Sequence, residues 1–196
     1  MKHNNIVQAI AVLICILLIV LCVLLATPAH AYDGDRITTA RQDALHEAAD
    51  ILRSCGYAED SEVIRAIQAE WRAEQEKLDI IAKVIDHEAP PAWCEWEHSV
   101  AVGVVVLNRV SSPLFPDSVR EVVAAPGQYL RSYTYGFADT SRLAYEAAAA
   151  ALDGAHDVPE DCYWQDTHVQ GAAIWRAYTV DTGWYRSTTY ICRGVA

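Results

Sequence analysis

One apolar stripe predicts the longest helix of the chain. Apolar residues recur at alternating spacings of three and four from Ile64 to Ile85, with Glu74 as the exception. Such a recurrence is typical of a helix with one buried face, and the Pro90-Pro91 pair must end that helix. Three residues beyond Ile85 the stripe reaches Glu88. The pattern therefore predicts that the carboxyl of Glu88 points into the buried face.

The predicted position of Glu88 suggests a chemical use for this acid. Burial and the negative end of the helix macrodipole both favour the protonated carboxylic acid over the carboxylate. A carboxylic acid that keeps its proton near neutral pH is the proton donor that cleavage of a glycosidic bond requires. The pattern leaves one alternative open, in which Glu88 is a helix-end acid that fraying turns toward solvent.

The remaining pattern predicts helices first and strands last. Helices are predicted over Ile37 to Cys55, from Asp60 or Ser61 to Glu88, over Asp117 to Val123, and over Asp139 to Leu152. The β-branched run from Val100 to Val110 is consistent with either a buried strand or a buried helix. Beyond Val158 the aromatic, Thr-rich and Gly-punctuated sequence predicts short strands and loops. The order of elements indicates an α+β fold.

Four linked motifs identify a family resemblance. They are His87-Glu88-Ala89, Val100 to Val110, Phe115-Pro116, and Pro126 to Tyr129. In this order and close to this spacing, they resemble the SleB/CwlJ-type cell wall hydrolases, the family of the spore cortex-lytic enzymes. The likeness runs from about Leu78 to Cys192. The chain departs from the family at Pro90 to Glu95, a link slightly longer than the family's A-R-G-E.

The resemblance implies a mainly helical, lysozyme-like or lytic-transglycosylase-like catalytic domain with a small C-terminal β region. It implies action on peptidoglycan, with Glu88 at the position of the family's catalytic glutamate. It also decides that Val100 to Val110 is a buried central helix, in which Gly103 permits close packing. No cofactor or metal is implied.

Other residues carry weaker expectations for substrate binding. Gln128 and Tyr129 lie in a Pro-Gly loop that resembles the family's substrate-side loop, and Tyr133 is a further candidate. Glu97 matches the family's usual acidic position before the central helix. Arg109 is expected to close that helix, where its charge suits the negative dipole end.

Two products are consistent with Glu88 as the acid, and the chain offers a choice of second carboxylates. A lytic transglycosylase needs one carboxylate, since the C6 hydroxyl of the sugar captures the reaction centre. A muramidase uses water and usually a second acid, for which Asp86, Glu95 and Glu97 are candidates. The lone well-placed Glu88 favours the transglycosylase, which would cleave the bond between N-acetylmuramic acid and N-acetylglucosamine.

Two alternatives belong to other classes of protein. An amidase-type hydrolase would need zinc or a thiol, and the candidate ligands are His87, Cys94 and His98 with His156 or His168. These residues lack an H-E-x-x-H spacing, and a Cys94/His98 nucleophile pair requires a thiolate. The second alternative is a catalytically inactive protein that binds the cell wall.

The N-terminus predicts export. A predominantly apolar run, residues 6–26, follows Lys2, and Pro28-Ala29-His30-Ala31 offers a signal-peptidase site. Cleavage after Ala31 is favoured over an uncleaved membrane anchor, although the run is long enough to span a bilayer. The predicted organisation is a signal peptide or anchor at 1–31, a helical extension at 32–77 and a catalytic domain at 78–196.

Charge and cysteines refine this prediction. A formal net charge of −11 argues against nucleic acid as a partner. Beyond the N-terminal segment four cysteines remain, an even number that suggests disulfides in an exported chain. The favoured pair is Cys162 with Cys192, which leaves Cys55 with Cys94. The alternative is that some of them are free and buried.

Overall fold

A computed structural model describes residues 37–129 and 140–194 of the chain. The helices are α1 (Ala40–Ser54), α2 (Glu62–Glu88), α3 (Trp96–Ser111), α4 (Val119–Ala124) and α5 (Arg142–Leu152); the strands are β1 (Cys162–Asp166), β2 (Ala173–Asp181) and β3 (Arg186–Arg193). Within these two ranges, five helices followed by one small antiparallel sheet confirm the predicted α+β class.

Some predictions fall on residues outside the described ranges. They are the signal peptide or anchor at residues 1–31, and the substrate-binding candidate Tyr133. Within the described ranges, no helix is both long enough and apolar enough to cross a membrane.

The chain divides into two compact units, and the division falls between Gln75 and Glu76, inside helix α2. In the first unit, Thr39 begins α1 with a capping box, in which its hydroxyl accepts from the Gln42 amide. Glu74, the acid that interrupts the apolar stripe, is buried there and pairs with Arg41 at 3.2 Å. The exception in the stripe is therefore a buried, ion-paired acid.

The second unit is built around helix α3, whose residues 98–106 are all buried. A Cβ atom placed on Gly103 would lie 3.1 Å from Ala151 of α5 and 3.1 Å from both Ile81 and Ile85 of α2. The missing side chain lets three helices approach one another closely, as the sequence predicted. The β-branched run lies in helix α3, which confirms the buried central helix that the family resemblance implied.

The sheet has the order β1-β3-β2, and both pairings are antiparallel. A tight turn at residues 182–185 joins β2 to β3, and Gly183 adopts φ 80° there, which a residue with a side chain rarely does. Side chains alternate between the two faces of a strand. Ser187 and Thr189 of β3 therefore share one face, together with Tyr185 just before the strand.

The state of the cysteines contradicts the disulfide prediction. All four described cysteines are free thiols, so the predicted disulfides are not formed. Cys162 lies opposite Arg193, and Cys192 lies opposite Trp164. The two thiols are thus offset across the β1–β3 ladder rather than directly opposed. Both are fully buried, and burial raises the pKa of Cys162 to about 11, so this thiol behaves as a small apolar residue.

Candidate active site

A cleft of about 660 Å³ opens in the second unit. Its walls come from the end of α2, the turn that follows it, helix α3, the loop before residue 130, the end of β1 and the β2–β3 hairpin. The lining residues are His87, Glu88, Pro90, Trp93, Cys94, His98, Arg109, Gly127, Gln128, Tyr129, Gln165, Asp166, Thr167, Val180, Thr182, Tyr185, Ser187 and Thr189.

Glu88 is the last residue of α2, and its side chain lies in the cleft. The side chain is 32% exposed, so the carboxyl is partly buried but does not point into the buried face as predicted. The buried stripe continues from Ile85 to Ala89, both fully buried, at a spacing of four rather than three. Glu88 is thereby turned to the edge of the stripe, where the carboxyl is accessible to a ligand.

The helix end that carries Glu88 is fixed, not frayed. The amide of Ala89 donates to the carbonyl of Ile85 at 2.9 Å, which continues the helical hydrogen bonding. The hydroxyl of Ser99 in α3 donates to the carbonyl of Ala89 at 2.7 Å. Beside the acid, the His87 Nδ1 atom lies 3.3 Å from Glu88 Oε1. Glu88 is therefore held in position by contacts between two helices.

The second carboxylates suggested by the sequence lie elsewhere. Asp86 is buried and accepts a 2.5 Å hydrogen bond from Ser141, the N-cap of α5, so it ties two helices together. Glu95 and Glu97 are exposed and are not among the described residues that line the cleft. The binding role predicted for Glu97 stays a prediction.

The cleft contains a carboxylate that the sequence analysis missed, Asp166 at the end of β1. It accepts hydrogen bonds from Gln170 Nε2 at 2.5 Å, Thr167 Oγ1 at 3.2 Å and the His168 amide at 3.3 Å. Although partial burial acts to raise it, hydrogen bonds from His168 and Thr167 hold the pKa of Asp166 below its ordinary value. Nothing in the chain's periodicity marks this residue, because its position depends on the sheet.

Arg109 is a second residue whose place in the cleft was not anticipated. It lies in the last turn of α3, as expected, but its guanidinium is buried against the rings of Tyr129 (5.2 Å), Phe115 (5.5 Å) and Trp164 (5.5 Å). Its Nε donates to the Tyr163 carbonyl at 2.6 Å, and no described carboxylate forms an ion pair with it. The cleft therefore contains a buried positive charge.

The loop predicted to contact substrate does reach the cleft. Gln128 is exposed and accepts a hydrogen bond from Arg109 through its amide oxygen. Tyr129 is buried, and its hydroxyl has no hydrogen-bond partner among the described residues. Burial raises the pKa of Tyr129 to about 12, with Glu88 adding to the shift and Arg109 opposing it. The structure thus brings Glu88, Gln128 and Tyr129 together.

His98 forms the floor of the cleft. Its ring stacks on Tyr178 with centroids 4.7 Å apart and planes 7° apart, and neither ring nitrogen has a partner among the described residues. Burial lowers the pKa of His98 to about 4, so the imidazole is neutral at physiological pH. Cys94 lies in the same cleft, where burial and then the charge of Glu95 raise the pKa of its thiol. Both shifts oppose the thiolate–imidazolium pair that a cysteine nucleophile would need.

The described part of the chain gives no support to a zinc site. Within residues 37–129 and 140–194, no three side chains of His, Cys, Asp or Glu are grouped as metal ligands. His156 and His168 do not line the cleft in which His87, Cys94 and His98 lie.

Exposed aromatic rings form the rims of the cleft. Trp93, in the turn after α2, is 75% exposed, and Tyr185, at the β2–β3 turn, is 64% exposed. Trp184, adjacent in the chain to Tyr185, is 99% exposed. Exposed aromatic rings beside a cleft offer apolar surface on which a ligand can pack.

Comparison with known proteins gives one match. Residues 95–191 match the model of a family described as Cell Wall Hydrolase. The matched segment contains Arg109, Gln128, Tyr129 and Asp166 of the cleft, while Glu88 precedes it. No curated protein and no solved structure matches the chain.

Proposed function

Since this chain belongs to the cell wall hydrolase family, we propose that it cleaves the bond between N-acetylmuramic acid and N-acetylglucosamine in peptidoglycan as a lytic transglycosylase. Glu88 is the general acid and base. The observation that carries the proposal is the placement of this carboxyl, which is fixed at a helix end and open to the cleft. An enzyme with this substrate acts outside the cytoplasmic membrane, in agreement with the signal peptide or anchor predicted for residues 1–31.

The reaction needs a single carboxyl that is used twice. Glu88 donates its proton to the glycosidic oxygen, the bond between this oxygen and C1 breaks, and positive charge develops at C1. The C6 hydroxyl of the same sugar then attacks C1 and returns its proton to the Glu88 carboxylate. The product carries a 1,6-anhydro end, no water is consumed, and the acid is regenerated.

The surroundings of Glu88 support this use. The buried Arg109 guanidinium lines the same cleft as Glu88. It also holds Gln128, and with it the loop that carries Tyr129. Sugar rings present apolar C–H faces, and the exposed rings of Trp93 and Tyr185 offer surfaces on which these faces stack.

One observation favours a second candidate function. Asp166 lines the same cleft as Glu88, so a hydrolysing muramidase could use it to activate water. Against this role, three neighbouring groups already donate hydrogen bonds to Asp166. These bonds occupy lone pairs that a general base needs for water. We therefore prefer the one-carboxyl mechanism.

The test is mass spectrometry of the fragments that the purified protein releases from peptidoglycan. We expect anhydro-ended muropeptides from the parent and none from Glu88→Gln. Glu160→Gln is the matched control, because this acid is exposed and is not among the described residues that line the cleft, and it should retain activity. Loss of activity in the control would show that the loss of one acidic charge, not of proton transfer, explains the Glu88 result.

Other products would replace the proposal. Reducing muramic ends that disappear in Asp166→Asn would identify a muramidase. Free stem peptides would identify an amidase-type activity. Binding to peptidoglycan without any released fragment would identify an inactive wall-binding protein.

A further inference from the structure

Three residues that line the cleft carry buried polar atoms without a hydrogen-bond partner. Buried polar side-chain atoms nearly always have a hydrogen-bond partner, and each one without a partner destabilises the fold. The exceptions among the described residues include both ring nitrogens of His98, the hydroxyl of Tyr129 and the Oε1 atom of Gln165. All three residues line the cleft that contains Glu88. A polar ligand in this cleft would supply the partners that these atoms lack.

Ring contacts hold two of the three groups in place. The His98 ring is stacked on Tyr178, and the Tyr129 ring lies 5.2 Å from the Arg109 guanidinium. The backbone of Gln165 is fixed in β1, opposite Ile191 of β3. The polar atoms of His98 and Tyr129 are therefore preorganised, which lowers the entropic cost of binding a ligand.

The chemistry of the cluster selects an uncharged ligand with both a donor and an acceptor. His98 is neutral, because burial lowers its pKa to about 4, and so offers one N–H donor and one acceptor nitrogen. The Tyr129 hydroxyl keeps its proton, since burial raises its pKa to about 12, and it can donate or accept. The Gln165 Oε1 atom accepts. A secondary amide, with one N–H and one carbonyl, matches this set.

We propose that His98, Tyr129 and Gln165 form a subsite that binds the acetamido group of an N-acetylated sugar and positions the glycan against Glu88. This inference rests on the proposed function, in which a glycan lies in the cleft. Peptidoglycan also has secondary amides in its stem peptides. The acetamido group is the better match because it is attached to the sugar ring that the aromatic rims accommodate.

The proposal gives Tyr129→Phe an unusual signature. The hydroxyl makes no hydrogen bond within the described structure, so its removal should leave the melting temperature unchanged or raise it. The same change removes a hydrogen bond to the ligand and weakens binding. A hydroxyl with a structural role would show a lower melting temperature instead.

The experiment measures binding by titration calorimetry, with Glu88→Gln as the parent so that no probe is cleaved. The probes are the β-1,4-linked tetrasaccharides of N-acetylglucosamine and of glucose, which differ in the substituent at C2. We expect the parent to prefer the acetylated probe at least tenfold. Adding Tyr129→Phe should weaken binding of the acetylated probe about tenfold, as expected for the loss of one hydrogen bond. The same substitution should leave the affinity for the glucose probe unchanged. His98→Phe should do the same, whereas Tyr190→Phe, outside the cleft, should have no effect.

The possible results test the subsite independently of the proposed cleavage reaction. Three results for Tyr129→Phe would overturn the subsite. They are an equal loss of affinity for both probes, an unchanged preference for the acetylated probe, and a lower melting temperature. A third probe, an N-acetylated alanyl peptide without sugar, tests the stem-peptide source, and a loss confined to this probe would also overturn it. Because no cleavage is measured, these results are independent of whether the protein forms anhydro ends.

Discussion

Replacing Gly103 by alanine tests the close approach of helices α2, α3 and α5. The new Cβ would lie 3.1 Å from the Cβ of Ala151 and from methyl groups of Ile81 and Ile85. Carbon atoms prefer separations of about 3.5–4.0 Å, so each contact is about 0.5 Å too short. The Cδ1 atom of Ile85 can rotate away. The Cβ of Ala151 is fixed to the backbone of α5, so that helix has to shift.

Two opposing effects set the size of the change in stability. Overpacking a core by one methyl group costs about 1–3 kcal/mol. Alanine stabilises a helix interior relative to glycine by about 1 kcal/mol. Because overpacking outweighs the gain in helix propensity, we expect Gly103→Ala to lower the free energy of unfolding by about 1 kcal/mol. Gly103→Val should lower it further.

The assay is urea unfolding followed by circular dichroism, with a double-mutant cycle through Ala151→Gly. In the Ala151→Gly background the backbone-fixed clash is absent, while the gain in helix propensity remains. Gly103→Ala should then be neutral or stabilising. The reasoning is refuted if Gly103→Ala stabilises the parent, or if the coupling between the two positions is below about 0.5 kcal/mol, as expected for residues out of contact.

Three further predictions concern the cleft and the thiols. Trp93→Ala should weaken binding to peptidoglycan several-fold in a co-sedimentation assay. Trp96 is exposed but lies outside the cleft, so Trp96→Ala should not weaken binding. An equal loss of binding in both variants would contradict a stacking role for Trp93. Burial lowers the pKa of His98 from its ordinary value of 6.5 to about 4 in the folded chain. The stability that the neutral ring contributes is therefore fully present above pH 6.5. As the pH falls from 6.5 toward 4 the unfolded chain gains a proton that the folded chain does not, and stability should drop by up to about 3 kcal/mol. His98→Phe should lose this pH dependence, and identical slopes would show that another group causes it. The exposed Cys55 should react first with a thiol reagent under native conditions, and the buried Cys162 should react only after unfolding. A disulfide-linked peptide containing Cys162 would contradict the free-thiol state.

Much of the helical framework could be predicted because its signals are local. The helix expected from Ile37 begins at Ala40, with Thr39 as its N-cap, and the helix expected from Asp139 begins at Arg142, with Ser141 as its N-cap. A helix whose every side is buried has no polar face to give it a period, so residues 98–106 could not be assigned by pattern alone. Only the family motifs decided that α3 is a helix.

The site could be predicted only in part, because its geometry depends on non-local contacts. Counting by three placed Glu88 in the buried stripe, but the helical repeat of 3.6 residues put Ala89 there instead. Asp166 and Arg109 enter the cleft through the sheet and through ring contacts, which leave no periodic signal. The cysteine count predicted disulfides, and this prediction was wrong, since all four described cysteines are free. The offset of Cys162 and Cys192 across the β1–β3 ladder depends on strand register, which the count does not contain.

The walls of the cleft are far apart in the chain, and this separation affects when the protein can act. Glu88 ends a helix near the middle of the sequence, whereas Ser187 and Thr189 come from the last strand. Contacts of such high contact order form late in folding, after loop closure has been achieved. A chain that stops before Arg186 has the acid but lacks the wall that β3 contributes. Such a truncated chain should therefore be inactive even though it keeps Glu88.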